Sequence, residues 1–127
     1  MIERIYLGDR AITGLEVDSW NSEVRIKINL ISRLSIGSDE WLFYDKENLE
    51  SGYLAFSEVF YFEVSPPGML PGDYIIDYDF YESDDGIYFN IVSVGQPNTL
   101  YKRNDEVSIK IKCHDCWLEN KNKEMIK

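Results

Sequence analysis

The sequence predicts an all-β fold, an antiparallel β-sandwich or partly open barrel of about eight or nine strands. Three observations support this prediction. Apolar and polar residues alternate with a period of two along much of the chain, turn-forming residues separate the alternating segments, and no long segment has the period of an amphipathic helix. Short strands that each bury one face pack as a sandwich or a barrel.

The clearest strands lie near the two ends of the chain. Over residues 24–30 the even positions are apolar and the odd positions polar, and over residues 107–113 valine, isoleucine and cysteine alternate with serine and lysine. This pattern is typical of an antiparallel strand with one buried face. Residues 2–7, 11–17, 40–44, 52–56 and 59–64 have strand-like composition as well.

A hairpin is predicted in the middle of the chain. Residues 74–81 and 87–92 are rich in aromatic and β-branched residues, and Asp85-Gly86 lies between them. Asp-Gly favours a tight turn because glycine accepts positive φ. Residues 45–52 predict one or two helical turns, and the proline-rich residues 65–72 predict a loop.

We expect one β-rich domain over residues 1–119 and a polar C-terminal tail over residues 120–127, because 127 residues suit a single core. The tail is expected to fray. The core is predicted to be drawn from Ile5, Leu7, Val24, Ile26, Ile28, Leu30, Trp41, Phe43, Phe60, Phe62, Tyr74, Ile76, Phe89, Ile91, Val107, Ile109 and Ile111.

Charge is distributed unevenly along the chain. The net charge is -10, and residues 34–101 contain thirteen acidic residues and one basic residue, Lys46, a formal charge of -12. Such acidity argues against nucleic acid and anionic membranes, which bind clustered Lys and Arg, and it favours a basic protein partner. The repulsion falls if the basic strands carrying Arg25, Lys27, Lys110 and Lys112 lie beside the acidic segment. With neither a signal peptide nor a transmembrane segment recognised in the sequence, we expect a cytoplasmic protein.

Catalytic and metal-binding patterns are incomplete. Cys113 and Cys116 flank the single histidine, His114, and offer three zinc ligands where structural sites use four. On one strand, positions three apart face opposite sides, so joint ligation requires a bend. Reduced structural thiols and an exposed histidine are the simpler interpretation, so we predict no catalytic residue, no metal site and no cofactor.

The predicted binding surface is the acidic hairpin, with Tyr81 as an aromatic contact. Acidic residues on a strand are usually solvated, and they also suit docking of a basic partner. A calcium site is an alternative for the same carboxylates, although their spacing matches no EF-hand loop. The residues are Asp77, Asp79, Tyr81, Glu82, Asp84 and Asp85.

Three segments resemble small uncharacterised bacterial proteins of unknown function: IYLGDR at 5–10, GLEVDSWN at 14–21 and PPGMLPGDYI at 66–75. The resemblance implies a single-domain bacterial protein and no particular catalytic residue. By size, acidity and lack of catalytic motifs, the chain is also similar to immunity proteins that neutralise bacterial toxins, which is an analogy rather than a motif match.

The leading prediction is therefore a non-enzymatic domain that binds a basic protein, such as a toxin domain, as an immunity or inhibitor protein. One alternative is a module that binds a small molecule or carbohydrate through Trp20, Tyr81 or Tyr88. A second is an enzyme with an unfamiliar arrangement of titratable groups in a cleft.

Overall fold

The computed structural model describes residues 5–32, 49–94 and 106–126. These residues form eight strands in one antiparallel sheet, which confirms the predicted all-β class. They contain no helix, and so none that could cross a bilayer. The strands are β1 (Ala11–Asp18), β2 (Glu23–Ile31), β3 (Leu49–Ser57), β4 (Tyr61–Ser65), β5 (Asp73–Ser83), β6 (Gly86–Val94), β7 (Glu106–Cys113) and β8 (Asp115–Asn120).

The strands are arranged in the order β4-β7-β6-β5-β1-β2-β3-β8. The sheet divides into two halves of four strands, which meet where β1 pairs with β5 at only two positions, Ala11 with Tyr74 and Ile12 with Asp73. The halves pack against each other, since the rings of Phe56 in β3 and Phe89 in β6 lie 5.2 Å apart. The sheet does not close into a barrel, and the architecture fits a sandwich or a partly open barrel.

A two-stranded ribbon joins the halves on the side away from the β1–β5 junction. The β3–β8 pair forms one part of the ribbon and the β4–β7 pair the other, with a bend between them. Residues 58–60 alone separate β3 from β4, and His114 alone separates β7 from β8. Because β3 pairs with β8 and β4 pairs with β7, both strands of the ribbon continue across the bend. Within the bend, the Phe60 N–H donates to the Lys112 carbonyl at 2.9 Å, and Glu58 has a φ of 50°.

The core lies between the two halves and follows the alternation of the strands. The even positions of β2 point inward as far as Ile28, and Ile26 and Ile28 are completely buried. Full burial of such a side chain contributes about 1.5–3 kcal/mol, so this layer is the main source of stability. The core also contains residues that were not predicted: Ile12, Ile31, Leu54, Phe56, Cys113 and Leu118.

Four predicted core residues are wrong. Leu30 of β2 is only partly buried and lies outside the core, and its neighbour Ile31 is buried instead. Tyr74 and Ile76 are 62% and 50% exposed, because the β5–β6 register shifts between Ile75 and Asp77. An extra residue at a bulge moves the alternation to the other face, so Ile75 packs against the core instead. Phe60 is half exposed because it lies in the ribbon bend.

Other sequence predictions concern residues next to, or outside, the described ranges. Residues 49–52, predicted as part of a helical turn, begin β3. The predicted strand at 40–44, with Trp41 and Phe43, lies outside the described residues, as does part of the strand at 2–7. Beyond Asn120 the chain turns back along β8, where Glu119 pairs with Met125 and the Ile126 N–H donates to the Leu118 carbonyl at 2.8 Å.

Candidate binding surface

The outward side of the half formed by β4, β7, β6 and β5 carries two parallel rows of side chains. Residues directly opposite one another in an antiparallel sheet share a face, so the strand register defines both rows. The tyrosine row contains Tyr61, Lys112, Tyr88 and Tyr81. The mixed row contains Glu63, Lys110, Asn90 and Asp79. We call this side of the half the β5 face.

The tyrosine row is a continuous aromatic strip with a lysine inside it. The Lys112 Nζ lies 4.9 Å from the centroid of the Tyr61 ring and 5.3 Å from that of Tyr88. The rings of Tyr88 and Tyr81 are 5.8 Å apart, and Tyr81 remains 62% exposed. Cation–π attraction therefore holds the ammonium group over the rings, while Tyr81 keeps a free aromatic surface.

The mixed row places acidic, basic and neutral polar side chains beside this strip. The Tyr61 hydroxyl donates to the Glu63 Oε2 at 2.7 Å, and this hydrogen bond raises the pKa of Tyr61. The Lys110 Nζ lies 4.0 Å from the Glu63 Oε1. The Asn90 Oδ1 is buried and has no hydrogen-bond partner. A groove of about 370 Å³ lies between the two rows, and its lining includes Asp79.

The predicted site residues divide between three places. Asp77, Asp79 and Tyr81 share the β5 face, as their alternation predicts. Glu82 lies on the other side of β5, and Asp84 follows in the hairpin turn.

The carboxylates on β5 have little to neutralise them. Asp77 accepts only the N–H of its neighbour Tyr78, at 2.9 Å, and Asp79 forms no hydrogen bond or ion pair within the described ranges. In the turn, the Asp85 N–H donates to the Ser83 hydroxyl at 3.3 Å, which leaves the Asp85 carboxylate facing solvent. The acidic residues therefore keep their charge available to a partner.

The basic strands lie beside strands of the acidic segment, since β2 pairs with β3 and β7 lies between β4 and β6, but neither adjoins β5. Lys110 and Lys112 of β7 lie two strands from the acidic residues of β5, on the same face. Arg25 and Lys27 of β2 lie on the outward side of the other half. The β5 face is therefore acidic along β5 and basic along β7.

The outward side of the other half is closed by contacts within the chain. Glu119, only 3% exposed, accepts from the Arg25 Nε at 2.8 Å and from the Trp117 Nε1 at 2.8 Å. The Glu119 carboxylate raises the pKa of the Arg25 guanidinium. The Lys123 Nζ of the returning C-terminal segment lies 2.8 Å from the Glu16 Oε1. This side therefore offers less unpaired charge than the β5 face.

The cysteines and the histidine lie at the ribbon bend. Cys113 and Cys116 form no disulfide, and both pack against the core, since the bend at His114 lets them face the same side. Burial raises the pKa of the Cys113 thiol to about 11, which keeps it protonated. His114 is exposed, with its ring 4.9 Å from that of Phe60. Within the described ranges, no three His, Cys, Asp or Glu residues are grouped as metal ligands.

Sequence reasoning missed two members of the tyrosine row. Tyr61 and Lys112 join Tyr81 and Tyr88 through pairings between distant parts of the chain, and only the alternation of β7 indicates which way Lys112 points. Trp20, named beside Tyr81 and Tyr88 as a candidate sugar contact, is 92% exposed in the turn between β1 and β2, outside the row.

Comparison with known proteins gives one match. No curated protein and no solved structure is significantly similar to the chain. The whole sequence, residues 1–127, matches a family of unknown function, DUF6258. The chain therefore belongs to the DUF6258 family.

Proposed function

We propose that this protein is a non-enzymatic binding domain that docks a basic protein partner through the β5 face. One observation carries the proposal: Asp77 and Asp79 are not neutralised by any described base, and they stand beside Tyr81, which is 62% exposed. Exposed tyrosine supplies a large contact area at low entropic cost, and flanking carboxylates select and accelerate a basic partner.

The lysines on this face do not cancel the acidity of β5. Lys112 is held over the rings of Tyr61 and Tyr88, and Lys110 is directed towards Glu63 on β4. A partner that approaches along β5 therefore meets carboxylates first. The acidic hairpin turn extends the same surface beyond the end of the strand.

The chemistry of the described residues supports binding rather than catalysis. Cys113 is buried as a protonated thiol, and His114 stacks on Phe60 outside the groove. The specific form of the proposal is a cytoplasmic immunity or inhibitor protein whose partner is a basic toxin domain. Occupation of a basic cleft by an acidic face supplies the inhibition in that case.

Charge reversal tests the proposal. The tagged protein is used to capture partners from an extract of its source organism, and the captured protein is then purified for kinetic measurements. The double variant Asp77→Lys with Asp79→Lys should lower the association rate constant at least tenfold and reduce its dependence on salt. The matched control changes net charge equally at exposed acidic residues elsewhere, Glu50→Lys with Glu124→Lys. Equal rates for both double variants would contradict the proposed surface.

A second candidate function is carbohydrate binding, and the geometry of the groove favours it. The eight positions of the two rows carry two acidic and two basic side chains, so the groove is locally neutral within an acidic protein. Aromatic rings beside alternating donors and acceptors suit a neutral sugar. Titration with cellohexaose and chitohexaose, followed by amide NMR, should then shift resonances of Tyr81 and Tyr88, and Tyr88→Ala should abolish the shifts.

A further inference from the structure

The edge of β1 is paired along only part of its length on the side towards β5. Ala11 and Ile12 pair with β5, whereas residues 14–18 pair with β2 alone within the described ranges, and Thr13 lies at a register shift between them. An antiparallel strand presents alternate N–H and C=O groups along each edge, so this part of β1 offers unpaired backbone groups. Such an edge can accept another extended chain.

The inward side of β1 is also incompletely covered at this edge. Leu15 and Val17 pair with Ile26 and Val24, which are 0% and 2% exposed, so all four side chains point towards the core. Val17 is nevertheless 53% exposed. Its exposure follows from the missing neighbour on the β5 side, because a strand there would place a side chain against it.

A groove runs along the same edge. Its volume is about 660 Å³, and its walls are residues 11–15 of β1 and residues 70–73 before and at the start of β5. Pro71 has no N–H to donate across the gap, and Leu70 is 72% exposed at the rim. The loop therefore flanks β1 without completing the sheet.

We propose that this β1 edge binds an extended, basic segment of a partner protein as an added strand. Alternate apolar side chains of that segment cover Leu15 and Val17, and its basic residues meet the acidic surroundings. Asp73 lines the groove and Asp18 lies at the far end of β1, while the nearby Glu16 is already paired with Lys123. The inference rests on the proposed protein-binding role, but it uses a surface other than the β5 face.

The probe is a capped heptapeptide in which lysine and valine alternate, added to the full-length protein. We expect saturable binding, with amide hydrogen exchange slowed at alternate residues within 13–18. Val17→Asp should weaken binding at least fivefold. Asp77→Asn with Asp79→Asn should leave it unchanged, which separates this proposal from docking on the β5 face. A peptide of the same composition with its lysines and valines in separate blocks should bind at least tenfold more weakly.

Backbone methylation provides the decisive comparison. In an added strand only every second N–H of the peptide faces β1, so N-methylation of the lysines or of the valines affects binding differently. One methylated peptide should lose at least tenfold in affinity and the other should not, and the sensitive set reports the direction of the added strand. Equal binding of both peptides, slowed exchange on the β5 face instead, or no binding at millimolar concentration would overturn the proposal. So would a dimer of the protein alone that Val17→Asp dissociates, since a second copy would then occupy the edge.

Discussion

Replacement of Arg25 by methionine should lower the free energy of unfolding by about 3 kcal/mol. The Arg25 Nε and Nη2 atoms donate to the two Glu119 carboxylate oxygens at 2.8 and 3.1 Å. The methionine variant leaves that carboxylate buried with only the Trp117 indole as a side-chain donor. Breaking a buried pair typically costs 3–5 kcal/mol, and the partial exposure of Arg25 places the expected value at the lower end.

Glu119→Gln should cost less, about 1 kcal/mol, because the amide retains an acceptor for Trp117 and leaves no buried charge. A double-mutant cycle of the two substitutions should give a coupling free energy of about 2 kcal/mol. Urea unfolding at neutral pH measures each value, and the melting temperature of Arg25→Met should fall by about 10 °C.

The matched control is Lys123→Met, which breaks an ion pair of similar length, 2.8 Å, between side chains that are about half exposed. It should change stability by less than about 0.5 kcal/mol. If Arg25→Met costs no more than Lys123→Met, the Arg25–Glu119 pair behaves as an ordinary surface pair. Contacts within the chain would then not close this side of the sheet.

Three further predictions concern the packing of the sheet. Gly52→Ala should cost about 1–3 kcal/mol, because its Cβ would lie 2.6 Å from the Glu119 carbonyl oxygen, whereas Gly14→Ala, with no atom nearer than 3.5 Å, should stay within about 0.5 kcal/mol. Ile76→Thr should be nearly neutral and Ile91→Ala should cost about 2–5 kcal/mol, since only Ile91 is buried. The unfolded Cys113 thiol ionises near pH 9 and the folded one near pH 11, so stability should fall over that interval, by up to about 2–3 kcal/mol more than in Cys113→Ala.

Urea unfolding checks each prediction. The glycine and isoleucine variants are measured at neutral pH. The wild type and Cys113→Ala are measured at about three evenly spaced pH values between 8 and 11. Equal costs for the two glycine variants would contradict the close approach of β2, β3 and β8 at Gly52. A cost for Ile76→Thr as large as that for Ile91→Ala would contradict the bulge in β5. A wild-type pH dependence identical to that of Cys113→Ala would show that the thiol is solvated.

The strands with one buried face could be predicted from the sequence alone. In β7, and in β2 as far as Ile28, the alternation of apolar and polar residues is uninterrupted, so the buried positions such as Ile26 and Ile109 follow directly. The same rule placed Asp77, Asp79 and Tyr81 on one face of β5. This part of the candidate site depends only on the local period of the strand.

Features that depend on pairing between strands could not be predicted. The bulge after Ile75 reverses the face of Ile76, and the bend at His114 brings Cys116 to the same side as Cys113. Neither leaves a local pattern, because each is fixed by the register with a neighbouring strand. The tyrosine row has the same origin, since Tyr61 and Lys112 are 51 positions apart in the chain and adjacent in the sheet.

The most direct test of the central claim is a hydrogen-exchange footprint of the captured partner on this protein. Binding through the β5 face predicts slower amide exchange in β5 and β6, around Asp79 and Tyr88, and loss of that protection in the Asp77→Lys with Asp79→Lys variant. Protection confined to the outward side of β2 and β8, around Arg25 and Glu119, would contradict the account.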